Sequence, residues 1–185
     1  IEEKNKSITD SIIYAKRIQD ATLPDLALVR SYLEKSFVLF RPKDIVSGDF
    51  YWIEKVENTI LFAVVDCTGH GVPGAFLSLI GHNALNQIVN ELKIVDPGRI
   101  LDELNRKVHK TLQNSLETNS IKDGMDMAIC SLNLDSNVLK FAGAYNPLYL
   151  IRGSEIQVIK GDKMAIGNHL HVNASFKTEE LQLKE

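Results

Sequence analysis

Cysteine is nearly missing from this chain: Cys67 and Cys130 are the only two in 185 residues, and neither belongs to a CxxC pair. That excludes a disulfide framework or a zinc-thiolate site, and it points to a reducing compartment, the cytoplasm. An excess of one charge sign is also lacking. The 21 Lys and Arg against 24 Asp and Glu leave a formal net charge of -3, with no basic block. Nothing here offers an electrostatic footprint for nucleic acid, so no such partner is expected. The longest apolar runs, such as residues 60–65, fall far short of the roughly 20 residues that span a bilayer. The first residues are charged (Glu2, Glu3, Lys4, Lys6), without the apolar core of a secretion signal. No internal repeat or low-complexity stretch is present. What remains is 44% hydrophobic and 24% charged, the balance of a globular chain with one domain, or a domain plus a short extension.

Residues 1–22 carry Ile1, Ile8, Ile12, Ala15 and Ile18 among charged neighbours. That spacing predicts a helix with one narrow apolar stripe, closed by Pro24. An uncapped first helix with such a stripe either enters from an upstream domain and pairs with a second copy, or packs on its own domain. Segments 36–41, 49–56 and 60–65 read as strands, the last a continuous apolar run of the kind a buried strand shows. After Asp66 comes a glycine-rich turn, TGHGVPG, then a helix over 75–92. Asp96 and Pro97 stand as N-cap and first residue of a second helix over 97–112. A polar connection, 113–123, leads to strands at 127–134, 138–142, 148–152 and 155–159. Three strands, two adjacent helices and a run of hairpin strands give an α+β fold rather than alternating βαβ units.

Two aspartates close apolar strands beside glycines: Asp49 in VSGDFYW and Asp66 in AVVDCTGHGVPG. A carboxylate at the end of a buried strand is costly unless a cation meets it. Two of them on neighbouring strands make a site for magnesium or manganese, which prefer oxygen ligands. The alternative is that each caps a turn or a helix N-terminus.

The strings RPKDIVSGDFYW, VVDCTGHGVPGAFLS, DGMDMAICSLNL and FAGAYNPLYLIR occur in this order. They resemble successive motifs of the stage II sporulation protein E-type phosphatases, within the metal-dependent (phosphatase 2C-like) superfamily. SIIYAKRIQDATLP is similar to the helix that links such domains to a sensor. The resemblance implies two packed antiparallel β-sheets flanked by helices, a linker or dimerisation helix over 1–24, and a catalytic domain over 25–185 that lacks its C-terminal part. It implies a protein-serine/threonine phosphatase acting on a phosphorylated bacterial signalling protein, such as an anti-sigma-factor antagonist. An upstream sensor domain and a homodimer are the further partners it implies. Two ions, Mn2+ or Mg2+, are expected, with Asp49 and Asp66 as catalytic, metal-ligating carboxylates. Asp66 bridges the two ions in that assignment, and Cys67 contributes its backbone carbonyl. Two such ions activate water for in-line attack and neutralise phosphoryl charge.

The family's last two acidic motifs, a Thr/Ser-Asp-Gly turn and an Asp-Asp pair, have no counterpart before the sequence stops at LQLKE. The rival expectation is therefore a catalytically inactive module that docks a partner or dimerises. A hydrolase of small phosphate esters is a third. Asp123 and Asp126 align with a strand at the site's rim, and Asp162 reads as a solvated turn residue. His70 shapes the turn or touches phosphate; His82 and His109 read as solvated or rim residues. Cys67 lacks the arginine-bearing phosphate loop of a cysteine phosphatase. Trp52 and Tyr51 read as core and rim.

Overall fold

The computed structural model describes residues 1–113, 123–167 and 175–183. Helix α1 (Glu2–Asp20) and the short α2 (Leu26–Tyr32) lead into strands β1 (Phe50–Val56) and β2 (Thr59–Cys67). Helix α3 (Gly71–Asn86) runs into a π-helical turn (Gln87–Glu91), followed by α4 (Pro97–Gln113). Strands β3 (Met125–Asn133), β4 (Val138–Ala144), β5 (Leu148–Arg152), β6 (Glu155–Ile159) and β7 (Glu179–Gln182) complete the order. One antiparallel sheet runs β1-β2-β3-β4-β7, and β5-β6 form a second, two-stranded one. The polar connection read at 113–123 lies almost wholly outside the described residues.

Period-two alternation assigns each face of the large sheet. Phe50 and Trp52 of β1, Leu61, Ala63, Val65 and Cys67 of β2, and Met127 and Ile129 of β3 point into one core. Helices α3 and α4 close it, and Ile100, Leu101, Leu104 and Val108 of α4 are fully buried. Asp96 caps α4: its Oδ1 accepts from Arg99 N at 3.2 Å and from Thr178 Oγ1 at 2.9 Å. The opposite face is covered in two places. Val29 of α2 packs with Ile53 and Ile60; Leu148 and Ile159 of the β5-β6 hairpin pack against Cys130 and Phe141. Between them Val64 stays 57% exposed.

One expectation changes, and two features are added to it. Segment 36–41 pairs with no strand. Its alternation is real, since Val38 packs beside β1 and Phe40 meets the Tyr51 ring edge-on, while Phe37 and Leu39 face outward. It is an extended strap on the sheet's face, without the ladder hydrogen bonds of a strand. Helix α2 was not expected; Asp25 starts it by accepting from Ala27 N at 2.8 Å. The stripe of α1 is not packed on the domain. Ile1, Ile8 and Ile18 are exposed, and Gln19 is the helix's one buried residue.

Candidate metal centre

Strand register sets three carboxylates in a row. Asp66 stands opposite Asp126 in the β2–β3 ladder. Phe50 opposes Val65 across β1–β2, so Asp49, one residue earlier, meets Asp66. Parity puts all three on the face away from α3 and α4, because their neighbours Val65, Cys67 and Met127 point into the core. The row ends the open part of that face.

Asp49 and Asp66 are close enough for their carboxyls to share a hydrogen bond. Two bare charges so near repel, so the pair is eased by a proton or by a cation between them. Desolvation, followed by the Asp66 charge and that hydrogen bond, raises the Asp49 pKa. Asp126 is raised by desolvation first and by Asp66 second. Cys67 turns its thiol into the core, where burial chiefly, then Asp49 and Asp66, keep it protonated far above neutrality. Its side chain is therefore no nucleophile. Its carbonyl oxygen, by contrast, lies 3.2 Å from where a Cβ on Gly48 would stand, beside Asp49. This donor set (two facing carboxylates and a nearby carbonyl) fits a hard oxygen-seeking cation. Among the described residues no group of three His, Cys, Asp or Glu side chains is close enough to hold an ion alone.

The glycines explain how the segments come so close. A Cβ on Gly48 would stand 2.7 Å from Gly69 O, and one on Gly74 would meet that same oxygen at 2.7 Å and Gly48 Cα at 3.0 Å. The loop before β1, the turn after β2 and the first turn of α3 thus touch backbone to backbone, which only glycine permits. Thr68 ties the third strand in. Its N and Oγ1 donate to Gly124 O at 2.8 and 3.0 Å, and its Oγ1 accepts from Gly124 N at 3.1 Å.

The other candidates fall elsewhere. His70 lies between Gly69 and Gly71, whose φ values are +84° and +65°, and its Nδ1 is 2.7 Å from Asp44 Oδ2. His82 is half-buried rather than solvated. It hydrogen-bonds the Thr22 backbone, meets the Phe50 ring edge-on, and burial lowers its pKa. His109 is half-buried on α4. Asp162 is a structural bracket, not a solvated turn residue: its Oδ2 accepts from Lys177 N, and its backbone bonds Gly143 O and Tyr145 N, all at 2.8 Å. Asp123 is half-buried. Trp52 is buried and donates to Asn86 Oδ1 at 2.7 Å; Tyr51 donates to Pro24 O at 3.0 Å. Sequence reasoning left Asp126 at the rim and passed over Asp44 and Gln19. Only register could have flagged the first, since DGMD places it where it opposes Asp66.

Residues 57–185 match the stage II sporulation protein E (SpoIIE) family. Among solved structures the chain is similar to the SiaA-PP2C domain of Pseudomonas aeruginosa at 33% identity and a TM-score of 0.86, over 100% of this chain and 70% of that one. It is similar in fold to the PP2C phosphatase domain, with a fragment of the regulatory domain, of the cell fate determinant SpoIIE from Bacillus subtilis. There the identity is 23% and the TM-score 0.57, over 75% of this chain and 39% of that one. RsbX in complex with magnesium shares the fold at 15% identity and a TM-score of 0.57, over 80% of this chain and 67% of that one. No curated protein matches the sequence.

Proposed function

The chain belongs to the stage II sporulation protein E family, and from that premise we propose that it hydrolyses phosphoserine or phosphothreonine in a bacterial signalling protein. The observation that carries the proposal is the pair Asp49 and Asp66, brought within hydrogen-bond reach at the end of an open sheet face. Asp49 and Asp66 are the proposed metal-ligating carboxylates, with the Cys67 carbonyl beside them. Magnesium or manganese, when bound there, supplies charge that acidifies water and neutralises phosphoryl oxygens. The chain's own part is to orient and exclude. The three-glycine contact of Gly48, Gly69 and Gly74 fixes the carboxylates' spacing from below. Thr68 and Gly124 hold Asp66 and Asp126 in register. Asp126 adds negative charge on the far side of Asp66, which would favour a cation beside these carboxylates.

The finer proposals follow the same frame. Residues 1–24 act as a linker and dimerisation helix, and 25–185 belong to the catalytic domain. The substrate is a phosphorylated partner of the anti-sigma-factor-antagonist kind, and the compartment is the cytoplasm. An upstream sensor and a second copy are the regulatory partners.

The test uses the protein with a phosphoserine peptide. Manganese-dependent phosphate release is expected, lost in excess chelator. Asp66→Asn should lose more than the ~10–100-fold that outer-shell partners of a metal are worth. Full turnover in chelator, or unchanged turnover in Asp66→Asn, overturns the mechanism. Binding of the phosphoprotein without phosphate release would instead favour the docking module.

A further inference from the structure

The core face of the large sheet turns polar at the end away from the carboxylates. Ser131 stands between Leu61 and Lys140 on the neighbouring strands, and Lys140 stands opposite Glu180. Cross-strand partners share a face, and Leu61 points into the helix-covered core, so the whole row lies on that face. One step nearer the strand ends, Thr59, Asn133 and Val138 make a second row. A cleft of about 370 Å³ opens over these two rows, and Val95 and Asp96, just before α4, line it from the other side. That volume is at the small end of the range for small-molecule sites.

Ser131 distinguishes the cleft from ordinary surface. It is only 4% exposed, and its hydroxyl meets no hydrogen-bond partner among the described residues. No buried polar side-chain atom of those residues is sealed off without a partner, so this hydroxyl opens on the cleft it lines. A nearly buried hydroxyl without a protein partner calls for one from outside. The charges around it are already answered. Lys140 Nζ lies 3.5 Å from Glu180 Oε2, and Asp96 sits at the positive end of α4 with its Oδ1 taken by Arg99 N and Thr178 Oγ1. The start of α4 has no N–H to spare for an anion: Gly98 N donates to Thr178 Oγ1 and Ile100 N to Asp96 O, and Pro97 has none. Hydroxyl and amide groups are what stays open. Asn133 is typical, since its Oδ1 is taken by Asp135 N, Ser136 N and Ser136 Oγ, which leaves Nδ2 to donate.

We propose that this cleft binds a small neutral polyol, a ligand of the monosaccharide or cyclitol class. Neighbouring hydroxyls of such a ring accept from Asn133 Nδ2 and Lys140 Nζ and exchange hydrogen bonds with Ser131 and Thr59. Its C–H face rests on Val95 and Val138. A phosphate or a free amino acid brings charges that find no unpaired counter-charge here, and their desolvation goes unrewarded. The site stands apart from the carboxylates. Thr59 begins β2 and Asp66 lies seven residues on, about 23 Å along an extended strand. The proposal therefore goes beyond the phosphatase reading and does not depend on it.

The experiment follows backbone amide shifts of the isotope-labelled protein as glucose, galactose or myo-inositol is added. At least one of them is expected to saturate, moving the Ser131, Asn133 and Lys140 amides and leaving those of Asp49 and Asp66 in place. Ser131→Ala should keep the wild-type thermal transition and weaken that binding roughly tenfold, the worth of one hydrogen bond. Thr59→Val, which preserves shape, should weaken it as well and keeps the test open should the serine variant fold poorly. Shifts that never saturate with any of the three, saturation at other residues, or unchanged affinity in both variants overturn the site. Saturation by glycine or inorganic phosphate in place of the polyols overturns the ligand class.

Discussion

At the scale of single residues, Asp49 and Asp66 hold each other in an arrangement that is unfavourable without a counter-charge. Burial and the Asp66 charge raise the Asp49 pKa, and burial with Asp66 does the same for Asp126. The sign follows from linkage. A carboxyl whose folded pKa exceeds its unfolded value binds more protons when folded, so its contribution is fullest below the unfolded value of 3.8 and is lost as pH rises through the raised one. In chelator at pH 7, Asp49→Asn is therefore expected to raise the thermal transition slightly. Asp49 is exposed, and solvent screening limits the gain to below ~1 kcal/mol. That gain should shrink as pH falls through the raised Asp49 pKa toward 3.8, and manganese should reverse its sign at pH 7. A transition that falls in Asp49→Asn without metal would mean that the carboxylates do not repel. The aspartates at the strand ends could be picked out from sequence because an acid beside glycine after an apolar run is a local pattern. Asp126 could not, because its closeness to Asp66 depends on pairing between strands separated by two helices.

At the scale of elements, what the sequence hides is where polar side chains replace regular pairing. The strap at 36–41 alternates as a strand does, but the alternation reports a face to lie on, not a neighbour to bond with. The end of α1 is a second case. Gln19 reads from spacing as a surface residue, yet it is buried and makes three hydrogen bonds. Its Nε2 donates to Ser47 O at 2.6 Å and to Ser78 Oγ at 2.9 Å, and its Oε1 accepts from Ser47 N at 2.8 Å. One side chain thus ties α1 to the loop that presents Asp49 and to α3, which follows Asp66. His82, a turn further along α3, reaches the Thr22 backbone beside it. Gln19→Ala leaves the Ser47 backbone groups without their partner, and a buried group so orphaned costs about 1–3 kcal/mol. Chemical denaturation should show that loss, and manganese affinity should weaken with it because the Asp49 loop is loosened. Unchanged stability would place Gln19 in solvent rather than in this contact. The α4 stripe, by contrast, could be read from spacing: Ile100, Leu101, Leu104, Val108 and Leu112 recur at helical intervals, the first four are completely buried, and Leu112 is partly buried against the same core.

At the scale of the whole molecule, α1 is the one long element that the core does not use. Ile1, Ile8 and Ile18 remain 101%, 60% and 51% exposed, while Ile100, Leu101, Leu104 and Val108 of α4 are fully buried. Apolar residues repeated at Ile1, Ile8 and Ala15, with Ile12 before Ala15 and Ile18 after it, form a narrow seam of the kind that a second helix covers. Ile8 is exposed and Ile12 half-buried, and neither belongs to a core cluster, so charging the two leaves the fold intact and removes the seam. Ile8→Asp combined with Ile12→Asp is thus expected to keep the wild-type thermal transition while shifting the protein from dimer toward monomer in sedimentation. Phosphate release should respond as well if α1 position reaches the carboxylates through Gln19, Ser47 and Ser78. A double variant that dissociates with an unchanged rate and manganese affinity would leave α1 as an assembly device only. One that stays fully dimeric would put the seam elsewhere on the molecule.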